Sequence, residues 1–297
     1  MYHRLSSYGK IVCFLGIFLI IISIQKKWLT SDPNQIEGFE LNQSFLNLDD
    51  FQEYDSFYAS IYDYLMLDKD KNQFELLTFF QQTNPSSESI ILDIGSGTGH
   101  HVNMFQKTFQ CKAVGLDNSE SMVLQSQSLF PDSTFTKGDG LNKNQYSSGQ
   151  FTHITCLYYT IYMTKDKHQL ISNIYRWLMN GGYFVVHLVN RDKIVSTLPT
   201  KYVNHNYNYN FKTKIDFNKF KYNSVFIPHL SDNKAVIRES FTFDSGEKRK
   251  QEQILYFDDH ESILQIARSV GFLVHSKIHM NVCNYENNYL YVLQKPL

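Results

Sequence analysis

The feature that most constrains this chain is residues 91–99, ILDIGSGTG, in which an apolar run ends in an acid and leads into three alternating glycines. The apolar run predicts a buried β-strand, and glycines between a strand and a helix let the backbone approach a ligand closely. The spacing differs from the dinucleotide fingerprint G-x-G-x-x-G, because the third glycine comes one position early. Asp93 would also repel a pyrophosphate. The loop therefore favours a ligand that carries an ammonium and a sulfonium, as S-adenosylmethionine does.

An alternation of strands and helices surrounds this loop and predicts a parallel sheet covered by helices. The expected strands are residues 90–94, 113–116, 134–136, 152–157 and 183–189, with two closing strands at 272–280 and 289–294. The expected helices include residues 100–107, 119–129 and 165–178. Together these elements predict an α/β fold with a doubly wound, mostly parallel seven-stranded sheet.

The alternation breaks after Asn190. Residues 202–256 are rich in Tyr, Asn and Phe, and two hairpin-like runs flank Ser245-Gly246. A structureless loop of this length is improbable inside a compact domain. We therefore predict an antiparallel β insertion, a lid over the substrate pocket, at about residues 193–256. A helix capped by Asp258 follows it.

Three acids follow three successive predicted strands: Asp93, Asp117 and Asp139. Residues 93–99, DIGSGTG, resemble motif I of the class I S-adenosylmethionine-dependent methyltransferases, and residues 115–122, GLDNSESM, are similar to the family's G-x-D-x-S-x-x-M. The resemblance covers about residues 51–296. It implies a Rossmann-like methyltransferase fold and S-adenosylmethionine as the cofactor.

The resemblance also implies the cofactor site. Asp117 corresponds to the family acid that binds the ribose hydroxyls, and Asp139 to the acid that contacts the adenine amino group. The residues expected to contact the cofactor are Asp93, Gly95, Ser96, Gly97, Gly99, Asp117, Asn118, Met122, Asp139, Gly140, Leu157 and Tyr58.

Two features favour a small-molecule acceptor. Residues 54–63, a predicted helix before motif I, resemble the segment that closes over the cofactor in amino-sugar N-methyltransferases and glycine-N-methyltransferase-like enzymes. The lid lies where those enzymes carry theirs. The expected reaction is methyl transfer to an N or O atom, without a metal. Candidate general bases are Tyr159, Tyr162, His187 and His101. The alternatives are a non-catalytic S-adenosylmethionine-binding scaffold and a lipid or quinone methyltransferase.

Charge and cysteine content limit the partners, metal sites and compartments that we expect for this chain. The chain has 28 Lys and Arg against 29 Asp and Glu, a formal net charge of −1. Because affinity for nucleic acid rests largely on basic residues, we expect no nucleic-acid partner. Four cysteines without a Cys-x-x-Cys pair predict neither a disulfide framework nor a zinc site, and favour a reducing compartment.

The N-terminus carries an apolar run at residues 11–24, IVCFLGIFLIIISI. As a hydrophobic helix it would span roughly 21 Å of a hydrocarbon core about 30 Å thick. A signal peptide is the alternative, but no small-x-small cleavage site follows. We predict a single-pass membrane protein with an anchor at residues 1–28, a polar linker at 29–50 and the methyltransferase domain at 51–297.

Overall fold

The computed structural model describes residues 54–193 and 211–297. The helices are α1 (Ser56–Met66), α2 (Lys69–Thr83), α3 (His100–Phe109), α4 (Glu120–Leu129), α5 (Thr160–Met163), α6 (Lys167–Trp177) and α7 (His260–Val270). The strands are β1 (Ile90–Ile94), β2 (Lys112–Asp117), β3 (Thr134–Lys137), β4 (Phe151–Cys156), β5 (Leu178–Val189), β6 (Phe211–Asp216), β7 (Phe220–His229), β8 (Lys234–Phe243), β9 (Lys248–Tyr256), β10 (Leu273–His279) and β11 (Asn288–Gln294).

Seven strands form the main sheet in the order β10-β11-β5-β4-β1-β2-β3. The strands from β1 to β5 run parallel, whereas β11 pairs antiparallel with both β5 and β10. The order reverses between β1 and β4, and in sheets of this kind ligands bind beyond the carboxyl ends of the strands at such a point. The predicted fold class is confirmed.

Helices cover both faces of this sheet because alternate side chains of a strand point to opposite faces. From β1, Leu92 packs in one core with Trp177 of α6. Ile91 packs in the other core with Phe79 of α2 and Phe105 of α3. Strands buried on both sides read as continuous apolar runs, which is why the sequence signal here was strong.

The lid predicted at about residues 193–256 contains a four-stranded antiparallel sheet in the order β6-β7-β8-β9. One face of the sheet packs on α1. There the ring of Phe57 meets the rings of Phe220, Phe241 and Phe243 at centroid distances of 6.2, 5.2 and 5.5 Å. The predicted antiparallel insertion is therefore confirmed, and it packs directly against α1.

Two of the differences from the predicted boundaries change the role of a residue. The cap of α7 is Asp259, whose carboxylate accepts from the backbone N–H groups of Glu261 and Ser262. Asp258, the predicted cap, instead pairs with the buried ammonium of Lys167 at 2.8 Å. Strand β5 starts at Leu178 rather than at residue 183, because Leu178 already pairs with β4. The sequence did not reveal the first boundary, because either of two adjacent acids could cap α7. It did not reveal the second, because glycines inside β5 indicated a turn rather than a strand.

The prediction of a single-pass membrane protein is contradicted. Across residues 54–193 and 211–297, no helix is both long and apolar enough to cross a bilayer. The apolar run at residues 11–24, and with it the predicted anchor and linker at 1–28 and 29–50, lies outside the residues that the structure describes.

Candidate functional site

A cavity of about 380 Å³ opens at the carboxyl ends of β1 and β2. The glycine loop and the two strand ends form its floor, and Tyr62 of α1 together with Tyr54, which lies before the helix, forms one wall. The segment after β4 and the end of β9 complete it. The lining residues are Tyr54, Tyr62, Ile94, Gly95, Gly97, Leu116, Asp117, Asn118, Met122, Gly138, Asp139, Gly140, Leu141, Thr160, Met163, Thr164, Lys165, Leu170 and Tyr256.

Gly97 is the residue of the glycine loop that has free space beside its backbone. Its φ of +53° is in the left-handed region, and its N–H donates to Oδ2 of Asp117 at 2.8 Å. A Cβ added there would meet no atom closer than Cε1 of Tyr62, at 3.7 Å. The space beside the backbone at Gly97 is therefore free. A ligand can lie against the loop there, and a larger side chain would occupy that space.

Asp117 presents a carboxylate that is fixed in advance. Oδ2 accepts from Gly97, and Oδ1 accepts from the backbone N–H of Ser119 at 2.9 Å. Burial raises the pKa of this carboxyl, while the backbone N–H groups oppose that rise. Each carboxylate oxygen can accept a second hydrogen bond. The side chain can therefore still accept from two hydroxyl groups in the cavity, as the predicted ribose contact requires.

The third acid, Asp139, stands on the loop after β3. Its Oδ1 accepts from the backbone N–H of Leu141 at 2.8 Å, which shapes this part of the cavity wall. Asn118, Met122 and Gly140 line the same end of the cavity. Seven of the predicted cofactor residues thus surround one space: Gly95, Gly97, Asp117, Asn118, Met122, Asp139 and Gly140.

The other residues of the predicted cofactor set do not line this cavity. Asp93 lies beneath the loop and accepts from Oγ1 of Thr155 at 2.7 Å. Burial raises its pKa to about 6. Gly99 is packed against Phe135, where a Cβ would collide with the ring. These positions support the loop from below. Contacts from Asp93, Ser96, Gly99, Leu157 and Tyr58 to the cofactor stay predictions.

Tyr58 joins α1 to the lid. Its hydroxyl donates to Oε1 of Glu239 at 3.0 Å. The same carboxylate accepts from the hydroxyl of Tyr222 at 2.6 Å and from the amide of Gln251 at 2.7 Å. Burial raises the pKa of Glu239, whereas these donors oppose the rise. A polar network inside an apolar interface fixes how the two elements pack, because each of its groups must keep its partners.

Three of the four predicted general bases are buried and do not line the cavity. The hydroxyl of Tyr162 accepts from the backbone N–H of Val189 at 3.0 Å. Nε2 of His187 lies 2.9 Å from Oδ1 of Asn288, and the hydroxyl of Tyr159 donates to the same oxygen at 3.3 Å. These partners are internal to the protein. A catalytic role for Tyr159, Tyr162 or His187 stays a prediction, without support from the cavity's geometry.

The protonation of His187 also disfavours base catalysis. The amide nitrogen of Asn288 donates to the carbonyl of Glu286, so its Oδ1 must be the hydrogen-bond acceptor. His187 therefore carries its hydrogen on Nε2. Burial lowers its pKa to about 4. A base of that pKa is weak at neutral pH.

His101, the fourth candidate base, is tied to a buried ion pair. Its Nε2 lies 2.8 Å from Oε2 of Glu75, which also accepts from the ammonium of Lys71 at 2.7 Å. The imidazole faces the carboxylate of α2, and it is not among the cavity's lining residues.

Tyr54 and Tyr62 are among the cavity residues that were not singled out from the sequence. Both fall in the segment 54–63 that resembled a cofactor-closing helix, in which Tyr recurs every fourth residue. That spacing places residues on one helix face. This recurrence was the sequence signal that could have indicated a shared role for these tyrosines. It did not show that Tyr58 turns to the lid while its neighbours line the cavity.

Comparison with known proteins agrees with this site. Residues 91–182 match the family described as methyltransferase domain. A curated relative from Streptomyces venezuelae, a dTDP-3-amino-3,4,6-trideoxy-alpha-D-glucopyranose N,N-dimethyltransferase, is 26% identical over 141 residues. That match covers 45% of this chain and 57% of the relative, so the chain spans little more than half the length of the curated relative it matches.

Solved structures share the fold over most of the chain. An S-adenosylmethionine-dependent methyltransferase from Clostridium acetobutylicum superposes with a TM-score of 0.64 at 18% identity, covering 81% of this chain and 98% of that one. A sugar N-methyltransferase from Streptoalloteichus superposes with a TM-score of 0.63 at 14% identity, covering 88% and 100%. At these identities the superpositions establish the fold. The family match over residues 91–182 confirms the predicted methyltransferase domain and, with it, S-adenosylmethionine as the cofactor.

Proposed function

We propose that this chain, built around a methyltransferase domain of the class I fold, transfers a methyl group from S-adenosylmethionine to an amino nitrogen of a small molecule. The observation that carries the proposal is the cavity itself. It joins the glycine loop and Asp117, which suit the cofactor, to α1 and the end of the lid strand β9, which suit an acceptor.

The residues present fit the cofactor. Free space beside Gly97 admits a ligand against the backbone, and Asp117 keeps acceptor capacity for hydroxyls. The ring of Tyr62 stands across that space from Gly97. Aromatic rings stabilise cations, so Tyr54 and Tyr62 suit both a sulfonium and the positive charge that develops on an amine. When bound, S-adenosylmethionine supplies an electrophilic methyl group.

Two of the three tyrosines that line the cavity, Tyr54 and Tyr62, hold their phenolic protons. Burial raises the pKa of Tyr54 well above its usual value, and burial together with nearby carboxylates raises that of Tyr62. Neither is a base near neutral pH. An amine that arrives neutral needs no base, because its lone pair forms the new bond and the product leaves as an ammonium. The protein's part is then to position the acceptor and exclude water.

An amino sugar is the acceptor class we propose. The curated relative is named for N,N-dimethylation of an amino sugar, and one structural neighbour is a sugar N-methyltransferase. We also propose that residues 51–297 form the catalytic domain, with about 193–256 as the lid insertion that closes the acceptor side. The packing of the lid on α1 supports this division.

The test is production of S-adenosylhomocysteine with a panel of amino sugars, simple amines and alcohols. We expect turnover with amines, and kcat/KM that rises with pH until the acceptor amine is neutral, since that amine supplies the titrating group. Cofactor binding without S-adenosylhomocysteine from any acceptor would instead indicate a non-catalytic scaffold. Turnover on alcohols alone would contradict the nitrogen acceptor.

A further inference from the structure

We propose that Lys167 positions the acceptor: its buried ammonium holds the end of the lid against the segment that follows α5, so that the acceptor meets a cavity wall already in place. The inference rests on the proposed function, since it concerns the acceptor side of the same cavity. Lys167 does not itself line that cavity. It acts through two residues that do, Thr164 and Tyr256, and is therefore a positioning residue rather than a catalytic one.

Lys167 is the first residue of α6, and only 2% of its side chain is exposed. Its Nζ donates to the carbonyl of Thr164 at 3.0 Å and to the carbonyl of Tyr256 at 2.7 Å. The third partner is Oδ2 of Asp258, at 2.8 Å. An ammonium has three hydrogens, and each of them has an acceptor here. A neutral amine has only two, so this arrangement requires the charged form.

The acceptors are what allow a charge to be buried at this point. Burying an ammonium costs free energy unless the charge is paired and hydrogen-bonded. Burial lowers the pKa of Lys167, whereas the hydrogen bond and the charge of Asp258 raise it. Moving either backbone carbonyl away would leave a buried N–H group without a partner, which is costly. The ammonium therefore holds its acceptors together.

The two carbonyls belong to distant parts of the chain. Thr164 follows α5, in the segment that leads from β4 to α6. Tyr256 is the last residue of β9, 89 positions from Lys167. Both residues line the cavity. One side chain thus joins the methyltransferase domain to the lid at the point where the lid reaches the cavity.

The proposed cofactor side of the cavity is held by other bonds. Asp117 is fixed by backbone N–H groups of the glycine loop and of the start of α4. The amide of Asn173, also on α6, donates to the carbonyl of Gly140 at 2.8 Å. Loss of the Lys167 ammonium should therefore loosen the wall at Tyr256 and leave the cofactor side in place. The acceptor would then have to order that wall as it binds, which weakens binding without changing the reaction of the bound complex.

The experiment uses the full chain and the amine of the panel for which the parent has the highest kcat/KM. Lys167→Met keeps the buried stem of the side chain and removes all three donors, and Lys167→Gln is a second variant that is polar but shorter. At saturating S-adenosylmethionine, we expect the KM of the acceptor to rise by about 10-fold in both, the scale of one lost hydrogen bond to a charged group. The kcat and the calorimetric Kd of the cofactor should change by less than about 3-fold.

Asn173→Ala is the matched comparison, because it removes a hydrogen bond from the same helix to a different part of the cavity wall. Its acceptor KM should stay within about 3-fold of the parent's. An unchanged KM in the Lys167 variants, or an equal rise in Asn173→Ala, would overturn this inference while the parent's turnover upholds the proposed function. An equal loss of cofactor affinity would overturn it too, since Lys167 would then support the whole cavity. No turnover by the parent with any amine of the panel would overturn both.

Discussion

At the scale of single residues, the proposed cofactor site depends on a carboxylate that is held in place before any ligand binds. Both oxygens of Asp117 are held by backbone N–H groups, one from the glycine loop and one from the start of α4. Such bonds cost no reorganisation when a ligand binds, so the binding energy of the carboxylate is retained.

Replacing Asp117 with Ala should therefore weaken binding of S-adenosylmethionine by about 2 to 4 kcal/mol, the scale of removing a charged partner from a buried hydrogen bond. Isothermal titration calorimetry measures this directly. Asp132→Ala, which removes an exposed acid outside the cavity, is the control and should bind like the parent. Affinity of Asp117→Ala within about 0.5 kcal/mol of the parent would remove Asp117 from the site, since surface changes alone stay in that range.

Gly97→Val should abolish cofactor binding, because the side chain would fill the free space beside the loop. Gly246→Val is a matched control. Gly246 also has a left-handed φ, +88°, and no atom within 4 Å of an added Cβ, but it lies in the lid hairpin between β8 and β9. Both variants carry the same kind of backbone strain, of about 1 to 2 kcal/mol. If both lose binding equally in calorimetry, strain rather than occupied space is the cause.

Some positions of the candidate site could be predicted from the sequence, and others could not. That Asp117 and Asp139 lie at one cavity could be predicted because each ends or follows a strand with a clear apolar pattern, and parallel strands place their carboxyl ends at one edge. The partners of Tyr54 and Tyr58 could not be predicted. Gln253 and Glu239 lie 199 and 181 positions away, and no local pattern specifies such contacts.

At the scale of elements, helix α1 contacts both the cavity and the lid. One side of the helix meets the lid through Phe57 and Tyr58, while Tyr62 faces the cavity. Arg249 of β9 adds an ion pair to Asp55, the cap of α1, at 2.7 Å. The sequence predicted both elements but not their contact. Helical spacing indicates an apolar face without indicating which surface covers it.

Phe57→Ala should destabilise the protein by about 3 to 5 kcal/mol, because it leaves a cavity among three phenylalanines of the lid. Phe80→Ala is the control: that ring is 46% exposed, and its removal should cost less than about 1 kcal/mol. Urea denaturation gives both values. Equal effects for the two variants would show that the lid does not depend on α1.

At the scale of the whole molecule, buried histidines should make stability depend on pH. His153 lies in the core between Phe79 and Tyr183, and burial lowers its pKa to about 4. The unfolded chain, with an imidazole pKa of about 6.5, binds the proton first. As pH falls from about 6.5 to about 4, the unfolded state therefore gains protons that the folded state excludes, and stability falls.

For His153 this loss should reach about 2 to 3 kcal/mol at pH 4, from a pKa difference of roughly 2.5. His153→Gln keeps a polar group at the site but cannot titrate. Urea unfolding at pH 7 and pH 4 should show a smaller loss of stability in the variant than in the parent. The same loss in both proteins would mean that other groups, and not His153, cause the acid sensitivity.

In the proposed reaction one cavity holds both S-adenosylmethionine and an amine. The most direct measurement is a single-turnover reaction with S-adenosylmethionine that carries a deuterated methyl group, with an amino sugar as acceptor and mass spectrometry of both products. We expect the deuterated methyl group on the amino nitrogen, S-adenosylhomocysteine in equal amount, and neither product from Gly97→Val. Calorimetric binding of the cofactor with no labelled product from any amine would contradict the proposed reaction.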